Sequence, residues 1–225
     1  MNQLRTKAII LRRTNYGEAD RILQLLTPDH GVLSAIAKGI RREKSKLAGG
    51  LELFATCDVT IIQGRGELGL VSSARLQHFY GDGILHDYDR MQFAYRCTKL
   101  VSQAASGLVE PAFYELLEGA YQYLETPLID WRLTEVWFRL HLAQLLGRGL
   151  NLRFDTGGQP LQEGAQYQFD ATDMSFALSP RGEFDAAAIK FLRLASVKKP
   201  DVLAHIGGLE QLLDRCVWLA RLISE

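Results

Sequence analysis

The chain has 225 residues, 47% apolar and 23% charged, and its 26 basic and 26 acidic side chains cancel to zero net charge. That much apolar content excludes disorder as the main state and suffices for a packed core without a disulfide or metal. No apolar run approaches the ~18 residues of a membrane span, and the short stretch Ala8–Leu11 before Arg12 and Arg13 predicts no signal peptide.

The first part reads as short strands. Lys7–Arg13 carries Ala8, Ile9, Ile10 and Leu11; Arg21–Thr27 carries Ile22, Leu23, Leu25 and Leu26. Thr27-Pro28-Asp29-His30-Gly31 is turn chemistry, because proline fixes φ and glycine accepts positive φ, and it leads into a strand at Val32–Ala37. Asp58–Gln63 is rich in β-branched residues, and Gly64-Arg65-Gly66 turns the chain into Leu68–Leu76. Five strands in 80 residues is the size of a small closed barrel and the strand count of an OB-fold. Closure also removes the edges that a free meander would expose.

From residue 87 the apolar period changes from two to 3.6. Met91, Tyr95, Thr98, Val101, Ala105 and Leu108 share a face; Pro111 opens a second helix, and Asp130 caps a third running to about Leu146. That third segment is apolar nearly all round and is expected to be central, with Trp131, Trp137 and Phe138 as core and His141 as a satisfied core or boundary histidine. Residues 147–182 break the pattern with glycines and three short strand-like stretches, Leu150–Phe154, Tyr167–Phe169 and Ser175–Leu178. Helices resume at Asp185–Ala195, Pro200–Ile206 and Leu209–Ile223. The fold class is therefore α+β: a five-stranded OB-fold barrel over residues 1–80, then a helical domain over 81–225 with a β-containing insertion at about 147–182.

Charge is uneven along the chain. Residues 1–80 hold 12 basic and 7 acidic side chains; residues 81–225 hold 14 and 19. A basic head joined to an acidic body fits a polyanion-binding module on a protein-contacting one. Five of the 12 cations fall in one run, Lys38, Arg41, Arg42, Lys44 and Lys46, with one acid among them and Gly49-Gly50 behind. Such a run reads as a mobile loop whose cations repel until an anion arrives. Arg12, Arg13 and Arg21 extend the path. Only Tyr16, Phe54, Phe79 and Tyr80 are available to stack on bases, too few for a stacking platform, so the expected binding is electrostatic, indifferent to sequence and salt-dependent.

Catalytic motifs are absent. Gly64-Arg65-Gly66-Glu67-Leu68-Gly69 fits a dinucleotide fingerprint, but a helix must follow it and Leu70–Leu76 reads as a strand. There is no P-loop, no H-E-x-x-H and no G-x-S-x-G; the five histidines are scattered, and Glu115 and Glu118 fall on a solvated helix face. Cys57, Cys97 and Cys216 stand far apart, offering no zinc spacing and suiting a reducing cytoplasm as small apolar groups. No catalytic residue, cofactor, metal or small-molecule substrate is expected.

The pattern Ala8-Ile9-Ile10-Leu11, Tyr16-Gly17-Glu18-Ala19-Asp20-Arg21-Ile22, Thr27 to Gly31, and above all Ala37-Lys38-Gly39-Ile40-Arg41-Arg42 with Lys44-Ser45-Lys46-Leu47 and Gly49 resembles RecO, the bacterial recombination-mediator family. Leu51-Glu52-Leu53-Phe54 is similar to that family's leucine-x-proline-phenylalanine, with Leu53 at the proline position. The resemblance covers the whole length, strongly in the first 80 residues. It implies an OB-fold head and helical body, binding of single- and double-stranded DNA, annealing of complementary strands, and loading of RecA onto strands coated by single-strand-binding protein. RecR and the acidic tail of single-strand-binding protein are the implied partners, in a cytoplasmic, nucleoid-associated setting. Many members carry four cysteines in the insertion; here Asp155 and Gly158 lie near the first pair and no cysteine falls between Cys97 and Cys216, so no zinc is expected.

On this reading Lys38, Arg41, Arg42, Lys44 and Lys46, with Arg12, Arg13 and Arg21, contact phosphates. Annealing needs no bond chemistry, because screening two strands at once lowers their repulsion. An acidic tail ending in an aromatic wants an apolar cleft flanked by arginine, for which Arg132, Arg139, Leu142, Leu146 and Arg215 are the candidates. The alternative is a protein-protein adaptor whose basic loop grips an acidic protein.

Overall fold

Five strands lie between Asn2 and Phe79: β1 (Asn2–Tyr16), β2 (Asp20–Thr27), β3 (Gly31–Ala37), β4 (Ala55–Gln63) and β5 (Leu68–Phe79). The computed structural model describes residues 2–64, 66 and 68–224. The strands close in the order β1-β2-β3-β5-β4, antiparallel throughout except for β3 against β5. This is the OB-fold barrel that the strand count predicts. Alternate residues point inward, and Ala8, Ile10, Leu23, Leu25, Ala35, Ala37, Cys57, Val59, Ile61 and Val71 form one buried cluster.

β1 is longer than its apolar core suggests because it serves two neighbours. It pairs with β4 from Asn2↔Gln63 to Ile9↔Thr56, and with β2 from Ile9↔Leu26 to Tyr16↔Asp20. The register shift between Ile10 and Arg12 lets one strand bend from one partner to the other. β5 is the strand required after Gly64 and Gly66, with Ile62↔Leu70 as a rung, which excludes the helix a dinucleotide fingerprint needs. Arg65 and Glu67 of that motif lie outside the described residues.

The first compact unit runs to Thr126, past the barrel's last strand at Phe79. Helices α1 (Gly81–Ile84), α2 (Tyr88–Ala104) and α3 (Pro111–Glu125) belong to it. Asp87 caps α2 by accepting from the amides of Asp89 and Arg90, and Pro111 opens α3. The ring of Phe54 joins the barrel to these helices, edge-on to Tyr95 at 4.8 Å and to Tyr121 at 5.5 Å. Phe54 holds φ at 56°, a conformation rare for a bulky residue, and is 2% exposed, so packing determines its backbone. Arg90 is buried, and its Nη1 donates to the carbonyls of Leu124 and Thr126, fastening α2 to the end of α3.

The second unit, Pro127–Glu225, contains α4 (Trp131–Leu145), a hairpin of β6 (Tyr167–Asp170) and β7 (Ser175–Leu178), α5 (Ala186–Ala195), α6 (Pro200–Leu203) and α7 (Glu210–Ser224). Val136, Leu140 and Ala143 of α4 pack with Phe176, Phe184, Ile189, Leu192, Cys216 and Leu219 in one core. The central helix is as expected, and Trp137 and Phe138 are buried, whereas Trp131 at its first turn is only half-buried. Leu150–Phe154 is not a strand. Asn151 Oδ1 accepts from the amides of Arg153 and Phe154, so a side chain replaces ladder pairing and only the isolated bridge Phe154↔Pro160 remains.

Candidate nucleic-acid interface

The link from β3 to β4, residues 38–54, has an apolar inside and a cationic outside. Ile40 and Leu51 are buried in the barrel cluster, with Leu47 and Leu53 packed against it. Lys38, Arg41, Arg42, Lys44 and Lys46 are exposed. A segment with four apolar anchors cannot drift from the barrel without exposing them to water.

Polar contacts fix the same segment. The Gly39 amide donates to Asp20 Oδ1 at 2.7 Å, and Gly39 takes φ of +65°, which suits glycine. The Arg41 amide donates to the Ala19 carbonyl at 2.9 Å, and Arg41 Nη1 reaches the Gly17 carbonyl at 3.4 Å. Successive turns follow, Arg42 to Gly39 and Ser45 to Arg42. A 3₁₀ turn, Ala48–Gly50, lies against β5 so closely that a Cβ on Gly50 would stand 2.8 Å from the Ala74 carbonyl oxygen. The mobile loop expected from charge repulsion is therefore corrected to a pinned one, because repulsion between solvated cations is weaker than the burial of its leucines and isoleucine.

Among the described residues no carboxylate pairs with Lys38, Arg41, Arg42, Lys44 or Lys46, although Glu43 sits in the run. Five cations thus stand in water with unsatisfied charge on one end of the barrel. Arg12 is also exposed and unpaired. Arg21 is half-buried, its Nε donating to Asn15 Oδ1 at 3.2 Å. Arg13 differs: its Nη1 meets Glu52 Oε2 at 2.6 Å and ties β1 to the link. It fastens the loop, and sequence separation of 39 hid the pair.

Aromatic stacking is poorer than the sequence allows. Phe54 and Tyr80 are buried and Phe79 is half-buried, leaving Tyr16 exposed among the four.

Of the partner-binding candidates in the second unit, Arg139 and Leu142 are buried. Arg139 is 2% exposed, with Nε on Glu135 Oε1 at 2.8 Å and Nη1 on Ser224 Oγ at 2.7 Å. Leu142 is buried in the core and Leu146 is half-buried. Arg132 is held by Asp130 and Asp214, and Arg215 by Asp185 and the Glu183 carbonyl. An i,i+4 Glu135–Arg139 pair on a helix apolar all round was the signal that these charges face inward.

The insertion does not fit a zinc ion. Asp155 Oδ1 already accepts from the amides of Gly157 and Gln159, and Gly158 offers no donor atom. Among the described residues no group of three or more His, Cys, Asp or Glu converges on a metal position. All three cysteines are buried free thiols. No helix of the described residues is long and apolar enough to cross a membrane.

Residues 1–80 match the family model "Recombination protein O N terminal". The chain is 34% identical over 152 residues to "DNA repair protein RecO" of Dehalococcoides mccartyi, covering 68% of this chain and 59% of that protein. It is 40% identical over 126 residues to the protein of the same name from Bifidobacterium longum, covering 55% and 52%. With that of Rubrobacter xylanophilus the identity is 34% over 165 residues, covering 72% and 66%. The matches thus span between half and two thirds of these relatives' length.

Proposed function

This chain belongs to the RecO family of DNA repair proteins, and from that premise we propose that it is a non-catalytic recombination mediator that binds DNA through the link between β3 and β4. The observation that carries this is the set of five exposed, unpaired cations on a segment pinned by Ile40 and Leu51. A polyanion meets charge already displayed in fixed positions, so little order is lost on binding. Phosphate contacts carry no sequence information, which suits a protein that must act on any single or double strand.

Annealing follows from the same physics: neutralising phosphates on two strands lowers the repulsion between them, and base pairing then does the rest. Loading of RecA onto strands coated by single-strand-binding protein, with RecR and the tail of that protein as partners, is the cellular role we assign. The RecO name of the relatives supports it. The buried Arg139 and Leu142 remove those two residues from the tail-binding candidates, leaving Arg132, Leu146 and Arg215.

The test is annealing of complementary strands coated with single-strand-binding protein. The mediator reading expects this chain to accelerate it; an unchanged rate, with no binding of bare strands, would instead favour the adaptor reading, in which the loop grips an acidic protein.

A further inference from the structure

We infer that the outer face of β1, β4 and β5 is a second nucleic-acid-binding surface, separate from the loop, that takes the second strand in annealing. The inference rests on the reading of the chain as a strand-binding protein and goes beyond it in placing a second strand.

Strand alternation builds the surface. Thr6 and Ala8 of β1 turn inward, so Arg5 and Lys7 turn outward. The ladder then aligns Arg5↔Thr60↔Ser73 and Lys7↔Asp58↔Arg75 as two rungs across three strands. These six side chains line a shallow groove of about 410 Å³. Arg5, Lys7 and Arg75 are exposed, and among the described residues none of them has an ion-pair partner. Arg5 and Lys7 lie roughly 7 Å apart along β1, and Arg75 stands roughly 10 Å away across two strand gaps. Each cation is therefore placed for a different phosphate, with the Thr60 and Ser73 hydroxyls between them.

Asp58 is the one acid on the face, and Gln77 Nε2 donates to its Oδ2. It reduces the charge of the patch from three to two without cancelling it. The apolar residues of the groove, Val59 and Ala74, offer no open side chain, Val59 being 2% exposed. A phosphate chain fits such a floor, whereas an acidic peptide with an aromatic end finds no apolar contact. The loop's 3₁₀ turn meets β5 at Ala74, which packs inward against the barrel cluster, whereas Ser73 and Arg75 turn outward, and Arg41 lies beside Gly17, ten residues beyond Lys7 along β1.

The experiment uses the full chain with a donor-labelled and an acceptor-labelled oligothymidylate, which cannot pair with each other. Energy transfer then reports two strands on one protein, and anisotropy with one oligonucleotide reports the first strand alone. The triple variant Arg5→Gln, Lys7→Gln, Arg75→Gln is expected to lose the transfer and to slow annealing of complementary strands at least about tenfold, the scale of losing several phosphate contacts. First-strand affinity is expected to change less than about twofold, because the loop is intact. Asp58→Asn, which keeps an acceptor for Gln77, is expected to strengthen transfer, and it carries the test should the triple variant not fold. Unchanged transfer and annealing in both variants would overturn the second surface while leaving loop binding standing. A loss of first-strand affinity as large as that of a loop variant would make the two surfaces one track and overturn it as well. Absence of any oligonucleotide binding by the unaltered chain would overturn the function and this inference together. Loss of transfer on adding an acidic peptide at concentrations that leave first-strand anisotropy unchanged, with annealing unaffected by the triple variant, would assign the face to a protein and overturn the second surface.

Discussion

Asp20 and Gly39 are joined by a 2.7 Å hydrogen bond from the Gly39 amide to Asp20 Oδ1, so the first residue of β2 sets the course of the chain as it leaves β3. The cationic loop therefore starts from a fixed point on the barrel.

Asp20→Ala and Asp20→Asn remove the same charge, but asparagine keeps an acceptor. The alanine variant is expected to be less stable than the asparagine one by about 1 kcal/mol, the net worth of such a bond. Thermal or denaturant melts check the difference. The salt dependence of oligonucleotide binding should be the same in both, since neither alters a loop cation.

Glu135 is 1% exposed and accepts from Arg139 Nε and from Arg221 Nε and Nη2. Glu135→Ala takes the Glu135 carboxylate away from the buried Arg139 guanidinium. The expected loss is about 3–5 kcal/mol, read as unfolding of the second unit at much lower denaturant, with first-strand binding by the barrel loop retained. A loss below about 1 kcal/mol would show that water reaches Arg139.

Asp185 caps α5 through the Ala188 amide and pairs with Arg215. Burial pushes its carboxyl up, but the Ala188 amide and the Arg215 charge together outweigh this and hold it below the usual carboxylate range. A depressed folded-state value means stabilisation that is complete above the unfolded value of about 3.9 and is lost as pH falls through the folded one. The stability gap between the natural chain and Asp185→Asn, measured by denaturant melts, should be constant above about pH 5 and close below about pH 4. A gap that widened on acidification would reverse the sign.

Burial, with a smaller push from Asp58, raises the Cys57 thiol to about 12, and burial raises Cys216 likewise to about 12. Cys97 is 0% exposed. A thiol-specific reagent at pH 8 should therefore modify none of the three in the folded chain and all three after unfolding. Rapid labelling of Cys57 in the native state would contradict a closed barrel.

Much of this fold is legible along the chain because its signals are local. β-branched runs, Pro28-Asp29-Gly31 turn chemistry and the cap at Asp130 each depend on neighbours a few residues away. What fails is non-local or ambiguous. Ile40, Leu47 and Leu51 look like stray apolar residues in a charged run, because cations and Gly49-Gly50 stand between them and no strand or helix runs through them; only the barrel cluster they join gives them a role. Arg13 looks like one more free cation until Glu52 arrives beside it. Arg139 looks like a surface arginine because a side chain's charge suggests water, and the hint to the contrary is Glu135 four residues before it on a helix apolar nearly all round. Arg5, Lys7 and Arg75 are scattered in sequence and become neighbours through register alone. The β1 bulge, which turns one strand between two partners, leaves no mark in the residues it affects.

The most direct measurement of the central claim is oligothymidylate affinity against salt concentration for the natural chain and for Arg41→Glu, Arg42→Glu, Lys44→Glu, Lys46→Glu. Single-strand contacts contribute roughly −0.7 each to the log-log slope, so losing four is expected to flatten it by about 2.8 and to weaken binding most at low salt. Identical slopes and affinities for the two proteins would contradict the account, because the loop's exposed charge would then be doing nothing for the strand.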